Sequence, residues 1–466
     1  MSSVLERREA VADRNRAAGS RLLLIGAVAF GAVLTGWLVY ACTRTAFATI
    51  DPADLQVYKN GGLIIRHVSP TYDPADKYPL YDWPKSKVAL KFTYTPFAAI
   101  FFAGISYVPW SVLPRLSQVA NLLFLVGATW FTAGALGCRG WRSRLGAALL
   151  GGAAALLTEP VFRTMYLGQI NLLLMAAIIG DLRQPDSRRF KGVATGLAAG
   201  VKLVPLVFIP YLLLTRRFRA AAMASGAFAA TVILGFIVVP GDSDAWWLHG
   251  LFFSNGRTGF VGWGGNQSLR GLLTRMAGSI DGAATSWLAA ALLVAVVGLG
   301  AAVLLDRAGH ALLAILTTAL VGLLDSPISW DHHWVWVVPG MMAAGHYAAR
   351  AWAAGRRGVP GQRAAAYWCG ALAGLLLLIF APWPGSLWSV PVTGPGDFTS
   401  GLIWAGPNSK VTQYVLFGDN PGYKEYHWRG LQNWSGNAFV LAGLALLVLL
   451  VVVAVRTRRA AAVLRA

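Results

Sequence analysis

Two histidines and an aspartate stand together in "SPISWDHHW" (326–334), between tryptophans and at the lip of an apolar run. Asp331, His332 and His333 could serve a metal site, a proton path or a catalytic pocket, while Trp330, Trp334 and Trp336 could form an aromatic membrane belt. Adjacent residues of a helix point about 100° apart, so the two imidazoles cannot both reach one ion from one face. With no third and fourth ligand in register, a metal centre is not expected. A histidine here suits a phosphate or a sugar hydroxyl instead. His332 is placed first for catalysis with His333 as its alternative; Asp331, His333 and Trp330 are binding candidates, the indole as a stacking surface for a sugar.

Other ionisable or amide groups sit at comparable borders. "TIDPADLQVYKNGG" brings Asp51 and Asp54 to the mouth of the first apolar run. Aspartate at such a place is a common helix cap, or else a general base made more basic by partial desolvation. "KFTYTPF" supplies Lys91 and Tyr94, where a tyrosine is ordinarily an interfacial anchor, and "MYLGQINLLL" places Gln169 and Asn171 at the entrance of a short helix. Lys202 follows a charge-free decade after Lys191 and precedes "LVPLVFIPYLLL". A lysine in such a setting pairs with an anion or lines a wet cavity, and at the outer turn of a broken helix it would meet a phosphate. "GWGGNQSLRGLL" adds Asn266, Gln267 and Ser268, whose amides could hold sugar hydroxyls beside permissive glycines.

These residues need a membrane scaffold. The 466 residues are 56% hydrophobic and 13% charged, with a mean hydropathy of +0.55. Soluble domains rarely combine these values, whereas chains of several membrane helices do. The net charge of +20 comes from arginines that punctuate apolar runs, which is the positive-inside pattern and not a nucleic-acid surface. Cys42, Cys138 and Cys369 are odd in number and lack metal spacing, so they suggest neither a disulfide framework nor zinc.

Apolar runs near 22–42, 112–137, 144–158, 170–182, 220–240, 284–305, 310–326, 334–349, 364–381 and 437–455 are the expected spans. The first follows a basic head and is too long for a signal-peptide core, so it reads as an uncleaved helix. "CRGWRSR", "RQPDSRRFK", "RRFR", "RAWAAGRRGVPGQR" and "RTRRA" mark the cytoplasmic side. That rule makes "PFAAIFFAGISYVPW" (96–110) a helix that dips and returns. It also splits 192–214 into two half-helices meeting near Lys202 and Pro205. The result is an all-α integral membrane protein of about twelve helices with both termini cytoplasmic. Residues 1–21 form a basic cytoplasmic head, 22–455 the membrane domain, and 456–466 a basic tail. Loops 43–95, 241–283 and 382–436, with shorter ones at 159–169 and 327–333, face outward.

In order along the chain, "DLQVY", "YTP", "GQIN", "GLAAGVKLVP", "NQS" and "SPISWDHHW" resemble glycosyltransferase family 87, over most of residues 50 to 340. The resemblance implies a GT-C-type bundle in the plasma membrane with an extracytoplasmic site. It is nearest to the family's mycobacterial α-1,2-mannosyltransferases. It further implies a polyprenyl-phosphate-mannose donor, a phosphatidylinositol mannoside acceptor and no required metal or other cofactor. Nucleic acid is not an expected partner, and a monomer is expected. Carried over by position, Asp54 is the family's acid, with Asp51 as the alternative; Tyr58 of the same motif joins the binding set. Catalysis would rest on Asp54, Lys202 and His332. A decaprenyl-phosphate arabinofuranosyltransferase of cell-wall polysaccharide and a lipid or solute transporter are the competing readings.

Overall fold

The computed structural model describes residues 17–36, 52–69, 75–81, 90–254, 257, 259–381, 401–404 and 424–463. Asp51, Cys42, the basic head through residue 16 and most of the expected loop 382–436 lie outside them. Among the described residues the regular structure is helical and no strand occurs; Asn266 and Trp330 form an isolated antiparallel bridge.

In chain order the α-helices are α1 (Ala17–Gly36), α2 (Ala53–Ile65), α3 (Pro96–Ser106), α4 (Leu113–Ala135), α5 (Trp141–Leu156) and α6 (Glu159–Leu167). Next come α7 (Asn171–Leu182), α8 (Val193–Val201), α9 (Phe208–Leu214), α10 (Phe218–Val238), α11 (Pro240–Trp247) and α12 (Leu269–Ala277). The chain continues through α13 (Ala284–Arg307), α14 (Ala311–Asp325), α15 (Val337–Arg356), α16 (Gln362–Ile379), α17 (Leu431–Gly436) and α18 (Ala438–Val463). Six of these are long and apolar enough to cross a membrane: α1, α4, α10, α13, α16 and α18. A seventh crossing results if α5 and α6, bent 81° from each other, count as one. The protein is an all-helical, multi-pass membrane protein.

Four shorter apolar helices lie among the long ones. The 11-residue α3 extends about 16 Å, half the hydrocarbon thickness, which suits the expected dip. It begins at Thr95, whose hydroxyl accepts the Ala98 amide, with Pro96 at the first helical position. The stretch 192–214 is broken at the expected place. α8 ends where Lys202 turns extended (φ −142°, ψ 126°), a short 3₁₀ turn carries Pro205, and the seven-residue α9 follows. Thr95 Oγ1 donates to the Gly200 carbonyl, which the break would otherwise leave without a partner.

Two local devices hold this broken segment. Asp181 caps α8, accepting the amides of Gly192 and Thr195 at 2.9 and 3.0 Å and the Thr195 hydroxyl at 2.8 Å. Gly192 and Gly196, one turn apart, then face the Ala220 and Ala224 carbonyls of α10, where a methyl group on either would collide with backbone. Residues 159–169 depart from expectation. Residues 159–167 form α6 where a loop was expected, because Pro160 sits in the first turn, where a proline favours a helix. Glu159 N donates to Phe380 O at 2.6 Å and ties α6 to the end of α16. The buried core has two large clusters, one around Tyr58, Phe102 and Phe208 and one around Met165, Trp334 and Phe439. Val207 and Trp336 border both, and the candidate site lies at that seam.

Candidate active site

α2 and α6 approach closely enough that a Cβ at Gly168 would meet the Leu55 side chain at 2.7 Å. Gly168 closes α6 in the left-handed conformation (φ 68°), which only glycine adopts easily, and turns the chain into Gln169 and α7. This delivers the Gln169 amide to Asp54. Nε2 donates to Asp54 Oδ2 at 2.8 Å and to the Tyr94 hydroxyl at 3.2 Å, while Oε1 accepts from the Tyr58 hydroxyl at 2.6 Å. The Tyr58 and Tyr94 hydroxyls are 2.9 Å apart. Because the Tyr58 proton is used on Gln169, Tyr94 donates in that last bond and the ring of hydrogen bonds closes. Tyr58 stacks on Phe102 of α3 at 4.1 Å, so α3 supports the network from behind.

Asp54 is the second residue of α2. The cap position is Pro52 and no side chain caps this helix, so Asp54 is not the cap that the sequence also allowed. It is half-buried, and no hydrogen bond to its Oδ1 is found among the described residues. Tyr58 is fully buried and supports Gln169 instead of contacting a ligand, which corrects its assignment as a binding residue.

Two residues beyond Gln169, Asn171 serves the cationic half of the site. Its Oδ1 accepts from Lys202 Nζ at 2.9 Å, and its Nδ2 donates to the His332 carbonyl at 2.8 Å. Thr164 of α6 donates to the same carbonyl at 3.1 Å. Lys202 Nζ also lies 2.8 Å from His333 Nε2. An ammonium has no lone pair, so His333 accepts there, and one Lys202 proton has no hydrogen-bond acceptor among the described residues and is left for an anion. His333, not His332, is therefore the partner of Lys202. The Asp54 carboxylate acts electrostatically on both Lys202 and His332, which places base and cation in one site. From Lys202, His333 and Asn171 a cavity of about 50 Å³ runs between apolar side chains including Leu174, Ile178, Phe208 and Leu323.

His332 is held by a different set of contacts. Asp331 Oδ1 accepts the His332 backbone amide at 2.7 Å and the ring Nδ1 at 2.9 Å. Its Oδ2 pairs with Arg163 Nε of α6 at 3.2 Å. Burial pushes the Asp331 carboxyl up, but Arg163 and His332 outweigh it and hold the group below the usual carboxylate range. Asp331 is 2% exposed and acts through its neighbours, not on a ligand. Sequence reasoning missed Arg163 altogether. The available signal was its spacing from Glu159, which sets two charges on one helical face within an apolar stretch.

The "NQS" segment does not line the site. Asn266 gives its amide to Val261 and Pro327 carbonyls and accepts the Ser329 and Ser268 amides. Gln267 clamps Gly264, Gly436, Phe439 and Val440, and Ser268 caps α12. All three are 0% exposed. Their expected sugar contacts are corrected to backbone clamping: polar groups this deep are consumed by unpaired loop amides and carbonyls. Trp330 bridges to Asn266 and meets the Trp263 ring edge-on at 5.5 Å, remaining half-buried. Lys91 is half-buried ahead of α3. No group of three or more metal-ligating His, Cys, Asp or Glu side chains occurs among the described residues.

The family model described as glycosyltransferase family 87 matches residues 92–329, more than half of the chain. A Mycobacterium tuberculosis (strain CDC 1551 / Oshkosh) protein, a polyprenol-phosphate-mannose-dependent alpha-(1-2)-phosphatidylinositol pentamannoside mannosyltransferase, is 38% identical over 291 residues. The match covers 62% of this chain and 65% of that one. A phosphatidylinositol mannoside mannosyltransferase with the same donor dependence and linkage, from M. tuberculosis (strain ATCC 25618 / H37Rv), is 33% identical over 55% of this chain and 62% of its own. The pentamannoside enzyme of Mycolicibacterium smegmatis is 34% identical over 62% of this chain and 68% of its own. The chain thus spans just under two thirds of the first two relatives. No solved structure matches it. The family match begins two residues before Tyr94 and takes in Gln169, Asn171 and Lys202, and the chain belongs to glycosyltransferase family 87.

Proposed function

We propose that this protein transfers mannose from polyprenyl-phosphate-mannose to a mannosylated phosphatidylinositol, forming an α-1,2 linkage with inversion. The observation that carries this is the pairing of one carboxylate with one lysine. Among the described residues, one Asp54 oxygen receives no hydrogen bond and one Lys202 proton has no acceptor. The relatives' names supply donor and acceptor. The acceptor hydroxyl gives its proton to Asp54 as its oxygen attacks the anomeric carbon. The bond from that carbon to the phosphate oxygen breaks, and polyprenyl phosphate departs against Lys202. Attack opposite the phosphate turns a β-linked donor into an α-linked product. A phosphomonoester leaving group needs charge stabilisation, not protonation, and one lysine suffices where a nucleotide diphosphate would need more. The apolar cavity beyond Lys202 suits the first isoprene units of the donor.

The scaffold in this reading is a GT-C-type bundle of about twelve helices in the plasma membrane, with its site on the extracytoplasmic face. Its support is the clustering of arginine at the ends opposite Lys202. The test is an assay of the purified protein with polyprenyl-phosphate-mannose, polyprenyl-phosphate-arabinofuranose and a mannosylated phosphatidylinositol. Mannose transfer alone supports the reading, and arabinose transfer alone replaces it with the pentose enzyme. Transfer should continue at an undiminished rate in EDTA, since the residues gathered here touch one another and offer no chelating set. Loss of activity restored by manganese or magnesium would overturn the metal-free mechanism.

A further inference from the structure

His332 is 5% exposed, yet its Nε2 is buried with no hydrogen-bond partner among the described residues. A buried ring nitrogen left unpaired is costly unless a ligand completes it. Its other nitrogen, Nδ1, faces a carboxylate that is already paired with Arg163, so Asp331 is ionised and can only accept. The proton must therefore sit on Nδ1. Burial favours the neutral imidazole, partly offset by Asp331 and Asp54 and reinforced by Lys202. Those residues, with His333 against the ring at 4.7 Å and with Glu159 and Arg163 acting through Asp331, are the charged and titratable groups around it. A neutral ring protonated on Nδ1 offers a lone pair at Nε2. That lone pair cannot donate to a phosphate; it accepts from a hydroxyl.

We propose that Arg163 and Asp331 are positioning residues that fix the His332 proton on Nδ1, so that Nε2 accepts a hydrogen bond from a hydroxyl of the transferred sugar or of the acceptor glycolipid. The inference rests on the glycosyl-transfer reading above and assigns His332 and Lys202 different tasks in it. Lys202, held by Asn171 and His333, meets the leaving phosphate, while His332 orients a hydroxyl. Arg163 matters because it occupies Asp331 Oδ2 and so leaves Oδ1 for the ring.

The experiment is a coupling cycle on the full-length enzyme in lipid nanodiscs. Single-position deoxy analogues of the mannosyl donor, and deoxy analogues of the acceptor's terminal mannose, are assayed with wild type, His332→Ala, Asp331→Asn, Arg163→Met and Arg163→Lys. Removing the recognised hydroxyl should cost the wild type roughly tenfold in kcat/KM and cost His332→Ala nothing further. Asp331→Asn should match His332→Ala, because an asparagine can turn its NH₂ group toward Nδ1 and move the ring proton to Nε2. Arg163→Lys keeps the charge and should keep the coupling; Arg163→Met should lose it. Should Arg163→Met fail to fold, His332→Ala still tests the contact and Asp331→Asn, which keeps the ring, still tests its positioning; an Asp331→Asn enzyme with wild-type coupling would overturn the positioning. Coupling in the donor series identifies the transferred sugar, and coupling in the acceptor series identifies the glycolipid. Losses that multiply in every series would overturn the proposal while the wild type still transfers mannose. A wild type that transfers no mannose would instead overturn the reading on which it rests.

Discussion

Asp54→Asn should abolish transfer to the extent that proton abstraction contributes, roughly a hundred- to ten-thousandfold in kcat. The substitution is nearly isosteric, and the asparagine carbonyl can still accept from Gln169 Nε2, so the Tyr58–Gln169–Tyr94 network should stay closed. α2 should also be undisturbed, because its start does not use the Asp54 side chain as a cap. Donor binding, measured with a non-transferable donor analogue, should accordingly remain near the wild-type value. Gln169→Leu provides the complementary case. It leaves the carboxylate in place but removes the amide that aims it, and it leaves the buried Tyr58 hydroxyl with Tyr94 as its side-chain partner. A live Asp54→Asn enzyme together with a dead Asp51→Asn enzyme would move the base to the other carboxylate of "DPAD".

The break at Lys202 was legible in the sequence because topology constrains it. Basic residues flank both ends of 192–214, and one crossing cannot place both flanks on one side. Pro205 and the glycines of α8 then give the break a location. The shortness of α3, 11 residues, was expected from the same argument. α6 was not legible, because a nine-residue helix between two turns carries no spanning signal and its charges look like loop residues. Sequence spacing singled out Asp54, Tyr94, Gln169, Asn171, Lys202 and His333, which the structure brings together, but not which of them touch. Asn171 and Asn266 look alike as amides at element borders. One completes the coordination of Lys202, and the other is used up by carbonyls and amides of its own loop and of residues 327–329. That difference depends on which backbone groups the fold leaves unpaired, and residue type does not encode it. The two histidines were separable only in three dimensions, where one ring meets a lysine and the other an aspartate.

Lys202→Met should slow transfer and weaken donor binding together. The loss of one charge-assisted contact is worth roughly 1.5–3 kcal/mol, or about one to two decades in kcat/KM, and more if the contact tightens as the phosphate leaves. Methionine keeps the length and the apolar stem, so it fills the same side of the cavity beside Phe208 and Leu323. Two acceptors, Asn171 Oδ1 and His333 Nε2, then lose their donor. Against that stands the relief of desolvating an ammonium, so the variant should remain assembled with a modest change in melting temperature. Lys202→Arg separates charge from shape. The guanidinium restores a cation but is planar and broader, and it cannot satisfy Asn171 and His333 in the same geometry while a third donor faces the phosphate. It should recover part of the lost rate and little of the lost stability. If Lys202 only filled space at the break, methionine would be tolerated and arginine would be the worse substitution. A well-folded Lys202→Met enzyme with unchanged kcat/KM would remove Lys202 from the site and leave the departing phosphate without the cation assigned to it here.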